Sequence, residues 1–271
     1  MIATLRNVQV AYPASTGGDP GRGLEEINLA LRGGEHVAII GPSGAGKSTL
    51  LRLLATAQRP SAGYITLADC NPWGLGTRAR QRLRTRIGLI QQSPPLPPRQ
   101  RVVTAISASR TGQWPLWKSL ANLAYPLDMA NIARELSKLD LSDKIFQRCG
   151  QLSGGELQRA AIARTLYQRA EIILADEPVS AMDPVLAEHT LDLLNRECRQ
   201  YNATLVVSLH NLQLALKYFP RVIGLRHGRI QFDKAAAEIS QHELDALYAN
   251  EQLRPTAVAH AAAWSDNRSR C

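Results

Sequence analysis

Residues 41–49 read Gly41-Pro42-Ser43-Gly44-Ala45-Gly46-Lys47-Ser48-Thr49. This fits GxxxxGK[ST], the pattern of a loop that cradles phosphate. Gly41, Gly44 and Gly46 let the backbone wrap tightly with its N–H groups pointing inward. The N-terminus of a following helix adds further donors for the β- and γ-phosphates. Lys47 supplies a mobile point charge for the phosphate oxygens. Ser48 places a hydroxyl on Mg²⁺, and Thr49 reaches the α-phosphate. The flanks supply the context this motif requires. His36–Ile40 is a short apolar stretch that predicts a strand running into the loop, and residues 47–57 have helical spacing with Leu50, Leu51 and Leu54 inward.

Downstream, residues 172–177 read Ile-Ile-Leu-Ala-Asp-Glu. A buried strand ending in a carboxylate suits a holder of Mg²⁺, which assigns Asp176 that role. Glu177, directly after it, is placed to polarise an attacking water as general base. Nucleotide, Mg²⁺ and hydrolysis are therefore expected in one site.

Working outward, residues 4–10 alternate and predict an edge strand, and residues 15–23 are rich in Gly, Ser and Pro and predict a loop. Ile87–Ile90 reads as a second buried strand. It is followed by Gln91, Gln92 and a cluster of Pro94, Pro95, Pro97 and Pro98 that marks a subdomain junction. Residues 102–150 are mostly helical in pattern, and Ser153 with Glu156 fits a capping box that starts another helix. Residues 171–175 and 203–208 are further strands, and 222–232 a hairpin turning at His227-Gly228. Alternating strands and helices imply an α/β core with a mainly parallel sheet. After about residue 252 the chain is rich in Ala, Arg and Ser without periodicity, so residues 251–271 are expected to be a disordered tail.

The 271 residues suffice for one large domain or a core with a subdomain. No apolar run approaches the roughly 18 residues of a membrane span, and no signal peptide is expected at Met1-Ile2-Ala3-Thr4. Cys70, Cys149, Cys198 and Cys271 are scattered without a CxxC pair, which reads as reduced thiols rather than a metal or redox site. The net charge of +9 permits an anionic membrane surface or nucleic acid as neighbour. Arg78, Arg80, Arg82, Arg84 and Arg86 would line one face of a strand or spread around a helix. No aromatic residue is interleaved with them, so nucleic acid is not expected as a partner.

Leu152-Ser153-Gly154-Gly155-Glu156, followed by Leu157-Gln158-Arg159, makes the chain resemble the ATP-binding subunit of an ABC transporter. A helix cap alone accounts for Ser153 and Glu156 but not for two helix-weakening glycines. The resemblance spans residues 1–250. It implies an α/β fold: an ABC-type P-loop NTPase core with a mainly parallel sheet, an antiparallel β-subdomain, and a helical signature subdomain at about 93–160. It implies that Ser153, Gly154 and Gly155 meet the γ-phosphate of an ATP held by a second copy of the chain. Tyr12 resembles the aromatic that stacks on adenine, and Gln92 the glutamine that touches Mg²⁺ and the lytic water. Its neighbour Gln91 stands where the family often has Phe. Asp183 ends a loop, Ser180-Ala181-Met182-Asp183, that resembles the coupler of the two sites, and His210 resembles the switch histidine at the γ-phosphate. Partners implied are membrane permease subunits and, indirectly, a periplasmic solute-binding protein, with the chain peripheral on the cytoplasmic face of the inner membrane. The permease would insert a short helix beside Gln92 and residues 93–150, where Trp114 and Trp117 are candidates for that surface or for subdomain core.

Val207-Ser208-Leu209-His210, Val222-Ile223-Gly224-Leu225-Arg226 and the stretch 109–120 resemble importers of phosphonate or phosphite within the family. Gln91-Gln92-Ser93-Pro94 and Pro98-Arg99 depart from that pattern. The alternatives are an importer of another oxyanion or amino acid, an exporter subunit, or a soluble ABC ATPase acting on nucleic acid. A small-molecule kinase or GTPase is a rival of another class. Ser137-Lys138-Leu139-Asp140 superficially matches a guanine-reading NKxD, but lacks the Asn and leaves the signature unexplained.

Overall fold

The structure, a computed structural model, describes residues 1–12, 22–124 and 126–249. The expected tail, 251–271, and most of the expected 15–23 loop lie outside these residues. In chain order the strands are β1 (Ala3–Ala11), β2 (Arg22–Leu31), β3 (His36–Ile40), β4 (Ala62–Leu67), β5 (Ile87–Ile90), β6 (Ile172–Asp176), β7 (Thr204–Ser208), β8 (Arg221–Arg226) and β9 (Arg229–Ala235). The helices are α1 (Lys47–Leu54), α2 (Thr77–Thr85), α3 (Val102–Ser107), α4 (Leu116–Ala124), α5 (Met129–Ser137), α6 (Gly154–Gln168), α7 (Pro184–Gln200), α8 (Leu212–Tyr218) and α9 (Gln241–Tyr248).

The large sheet has the order β5-β6-β7-β3-β8-β9. Its first five strands run parallel, and β9 returns antiparallel to β8. His227 and Gly228 form the two-residue turn between β8 and β9, both at positive φ (51° and 74°), as the twist of a tight hairpin demands. β3, β6 and β7 are buried at every position, which is why they read as unbroken apolar runs. Their two-residue period still sorts side chains to two cores. Val37, Ile39, Leu174 and Val206 pack with α1 and the smaller sheet. Ala38, Ile40, Ile173, Ala175, Leu205 and Val207 pack with α6 and α7.

The smaller sheet is antiparallel, with the order β2-β1-β4. β1 is therefore its central strand and not the edge strand expected from sequence. Its alternation reflects one buried face, Ala3, Leu5, Val8 and Val10, and says nothing of edge or centre. β2 and β4 had escaped the reading. β2 hides behind the Gly- and Pro-rich segment, and β4 exposes its first three residues.

α2 settles the arginine run as helical, with Arg86 just past its end and only Leu83 buried. α6 begins at the capping box: Ser153 Oγ accepts from Glu156 N at 3.3 Å and Glu156 Oε2 accepts from Ser153 N at 2.8 Å. The backbone N–H of Ser153, with the Ser153 side chain adding to it, holds the Glu156 carboxyl below the usual carboxylate range. Among the described residues no helix is long and apolar enough to cross a membrane.

Candidate active site

β3, β7 and β6 are neighbours, so their carboxyl ends deliver three segments to one edge of the sheet, where ligands of open α/β sheets bind. β3 delivers the glycine loop, β6 delivers Asp176 and Glu177, and β7 delivers Ser208 and the stretch to His210. Residues 43–49 of the loop, Glu177 and His210 line a cleft of about 420 Å³ together with Tyr12, Gly23 and Gln92, while Asp176 and Ser208 are not among its lining residues.

Two of the loop's glycines are forced by their neighbours. A Cβ on Gly41, at φ 149°, would sit 2.0 Å from the carbonyl oxygen of Leu225 in β8. One on Gly46, at φ 106°, would sit 2.9 Å from the carbonyl of Gly23. Ser43, Gly44, Ala45, Gly46, Lys47, Ser48 and Thr49 all line the cleft. Lys47 is 5 % exposed, and its Nζ donates to the carbonyls of Gly41 at 2.7 Å and Pro42 at 3.1 Å. Tyr12 is tied to the same helix: its hydroxyl is 2.9 Å from Thr49 Oγ1 and donates to Gln58 Oε1 at 3.2 Å.

Glu177 is the centre of the polar network. It adopts a left-handed backbone, φ 50°, a strained state for a non-glycine residue. Its N–H is received by Ser208 Oγ at 3.0 Å and by the Ser208 carbonyl at 3.2 Å. One carboxylate oxygen accepts from Gln92 Nε2 at 2.8 Å, and the other contacts His210 Nε2. Ser208 Oγ in turn donates to Asp176 Oδ1 at 2.7 Å. One hydroxyl thus fixes both adjacent acids. Sequence reading assigned Ser208 no role of its own. The usable signal was a hydroxyl closing an apolar central strand, and the register that sets Ser208 opposite Asp176 is visible only in the fold.

Between the two glutamines, it is the Gln92 side chain that reaches the cleft, while the Gln91 carbonyl accepts from Gln158 Nε2 at 3.3 Å. Gln158, 1 % exposed in α6, is a second residue the reading overlooked. Ser153, Gly154, Gly155 and Asp183 do not line the cleft. Asp183 caps α7 by accepting from Leu186 N at 3.0 Å. Lys138 of the NKxD look-alike pairs with Glu197 at 2.7 Å and Glu135 at 3.0 Å, outside the cleft-lining set.

A glycine loop between a central parallel strand and a helix, with an acid pair at the end of the strand two places along the sheet, defines a P-loop NTPase. The chain belongs to the ABC transporter family, whose model matches residues 24–180. It is 64% identical over 244 residues to phosphonates import ATP-binding protein PhnC 2 of Pseudomonas aeruginosa, covering 90% of this chain and 91% of that one. It is 65% identical over 236 residues to PhnC 1 of another strain of that species, covering 87% and 88%. Among solved structures it is similar to MJ0796, a bacterial ABC transporter cassette, in its dimeric form. That match has a TM-score of 0.77 and 27% identity, over 86% of this chain and 98% of that one. A dimeric post-hydrolysis state of MJ0796 bound to ADP and Pi matches over the same shares with a TM-score of 0.75.

Proposed function

We propose that the chain is the ATP-hydrolysing subunit of a phosphonate importer, acting as a pair of copies on the cytoplasmic face of the inner membrane. The observation that carries this is the split between the cleft and the signature. The glycine loop, Gln92, Glu177 and His210 share one cleft, whereas Ser153, Gly154 and Gly155 lie outside it on the same chain. A nucleotide held by one copy then receives the signature from another, so that ATP joins the copies and hydrolysis releases them. The dimeric cassettes to which the chain is similar support the pairing. The phosphonate cargo rests on the full-length relatives.

In this reading Tyr12 stacks on adenine and residues 41–49 hold the phosphates. Ser48, Asp176 and Gln92 would hold Mg²⁺, which when bound neutralises phosphate charge. The donor set fits. Mg²⁺ is ordinarily held by one or two carboxylates plus substrate phosphates, and no cluster of three or more His, Cys, Asp or Glu ligands exists among the described residues. Glu177 orients and deprotonates the lytic water, and Gln92 and His210 fix one carboxylate oxygen each. Asp183 would follow the partner's state through the start of α7. A permease helix would dock beside Gln92 and residues 93–150, with a periplasmic receptor delivering the solute.

The test pairs two measurements. Glu177→Gln with ATP and Mg²⁺ should run as a stable dimer that does not turn over; a variant that stays monomeric overturns the clamp. ATP turnover by the complex with permease should rise with receptor loaded with an alkylphosphonate. A rise with sulfate or an amino acid instead overturns the cargo.

A further inference from the structure

α4 is amphipathic in the wrong sense for a water-facing helix. Leu116, Trp117 and Leu120 are 76 %, 70 % and 60 % exposed, while the polar Asn122 is 3 % exposed and accepts from Leu127 N at 3.2 Å. Apolar groups outward and an amide inward mark a face that something other than water covers.

Charge says what covers it. From Cys70 to Leu127 the sequence contains no Asp or Glu, yet holds eight arginines and one lysine. This stretch alone carries the chain's whole formal excess of +9, and the remainder of the chain balances. Five of these cations are used internally or against a named neighbour, one of them Arg80, 5.6 Å from the Trp73 ring centroid. Arg84 donates to Thr56, Arg86 pairs with Glu171, Arg110 with Asp128, and Lys118 lies 4.6 Å from the Trp114 ring centroid. Arg78 and Arg82 on α2 are exposed and have no ion pair among the described residues. α2 and α4 pack on the same 3-10 turn, Ala108–Gln113. Gln113 Nε2 donates to the carbonyl of Thr85 at the end of α2, and Ser119 Oγ of α4 donates to that of Thr111.

We propose that α4, together with the arginines of α2, which packs on the same 3-10 turn, is an interfacial foot that rests on an anionic phospholipid surface. A tryptophan beside leucines, with basic side chains in a sequence stretch that holds no acid, is the composition that partitions to the headgroup boundary. A continuous negative surface complements an acid-free stretch without needing a carboxylate opposite each arginine. Trp117, a candidate for the permease surface from sequence, is thereby assigned to lipid. The inference deepens the peripheral location proposed above. Vesicle binding needs neither the cargo nor turnover, so the two readings fail separately.

The test is flotation of the purified full chain with vesicles of phosphatidylcholine, with and without about one-third phosphatidylglycerol. Binding is expected only with phosphatidylglycerol, and should fall as salt rises. Arg78→Gln with Arg82→Gln should lower the partition about 25-fold, near fivefold per charge. Trp117→Ser with Leu120→Ser should remove the binding that survives salt. Both double variants should keep basal ATP turnover, since none of these residues lines the cleft. Equal binding to pure phosphatidylcholine, no binding by turnover-competent protein, or binding unchanged in either variant overturns the proposal. A photo-crosslinker at position 117 that captures the permease rather than lipid in native membranes also overturns it.

Discussion

Ser208→Ala removes one hydroxyl and should cripple hydrolysis while sparing nucleotide binding. Ser208 is fully buried, and its Oγ both donates to Asp176 at 2.7 Å and accepts from the N–H of Glu177 at 3.0 Å. The bond to the Asp176 carboxylate is charge-assisted, worth roughly 1.5–3 kcal/mol. The N–H of Glu177 is not orphaned by the change, because the Ser208 carbonyl still receives it at 3.2 Å. The expected loss of stability is therefore about 2 kcal/mol, a fall in Tm of about 4–8 °C for a chain of this size. The catalytic loss follows from strain. The left-handed backbone of Glu177 costs roughly 1–2 kcal/mol, and with one restraint gone the carboxylate loses its fixed position. A misplacement of about 1 Å costs on the order of 100-fold, so kcat should fall ten- to hundredfold. KM for ATP should barely move, because the glycine loop is untouched. Ser208→Thr keeps the hydroxyl and should restore kcat even if its added methyl group lowers Tm. Steady-state ATP turnover and thermal unfolding on the three proteins decide it. A Ser208→Ala variant with wild-type kcat and a lowered Tm would refute the reasoning, leaving the hydroxyl a matter of packing alone.

Two other perturbations probe parts away from the cleft. Lys138→Met leaves the carboxylates of Glu135 and Glu197, with side chains 4% and 9% exposed, without their shared cation, and should cost roughly 3 kcal/mol in urea unfolding. Arg169, 3.8 Å from Glu135, keeps the cost at the low end. Burial alone would lower the Lys138 pKa, but hydrogen bonds to Glu197 and Glu135 outweigh it and hold it raised. The pair's contribution is thus fully present below the unfolded lysine value and lost as pH rises through the folded one. The gap between wild type and variant should therefore be flat near neutrality and shrink in strongly alkaline solution. Of the three described cysteines, Cys70 is exposed, Cys149 is buried with its thiol pushed up by desolvation, and Cys198 is buried with its thiol pushed up to about 12. Peptide mapping after brief maleimide treatment of the native protein should find Cys70 modified and the other two protected until urea is added.

Sequence reading reached the phosphate loop, the strand before it, the acid pair and the capping box. In each case a local constraint dictates residue type: a backbone so near a neighbouring carbonyl that an added Cβ would sit 2.0 Å from it, or a helix end that must be capped. It reached the central strands because burial on both faces leaves an unbroken apolar run. It missed β2 and β4 and misplaced β1, because pairing in an antiparallel sheet is a property of distant segments and leaves only weak alternation. It passed over Ser208 for the same reason. A serine at the end of a strand has many explanations until the register puts it against Asp176. Gln91 and Gln92 could not be told apart by composition. The backbone decides, sending one side chain to the cleft and leaving the other's carbonyl to Gln158.

That last contact bears on how two sites could fire together. α6 presents Ser153 and Gly154 at its N-terminus, and a turn later its Gln158 grips the carbonyl of Gln91. The next residue, Gln92, holds Glu177 at 2.8 Å. On the proposed roles, the helix that greets the partner's γ-phosphate is thus linked through one side chain to the base of its own copy's site. A shift of α6 toward the partner would pull on the segment that orients Glu177, with no need of a longer path. Asp183 offers a second route from the same acid. Glu177 is followed within six residues by the cap of α7, and the intervening turn is closed by Ser180 N donating to the Glu177 carbonyl at 3.2 Å. The strained residue at the centre of the cleft therefore has a covalent or hydrogen-bonded connection to both segments that the family signature and coupling loop contribute. If Glu177 is the base proposed above, displacing either segment would misaim it, and hydrolysis would then answer to the closure of the second copy.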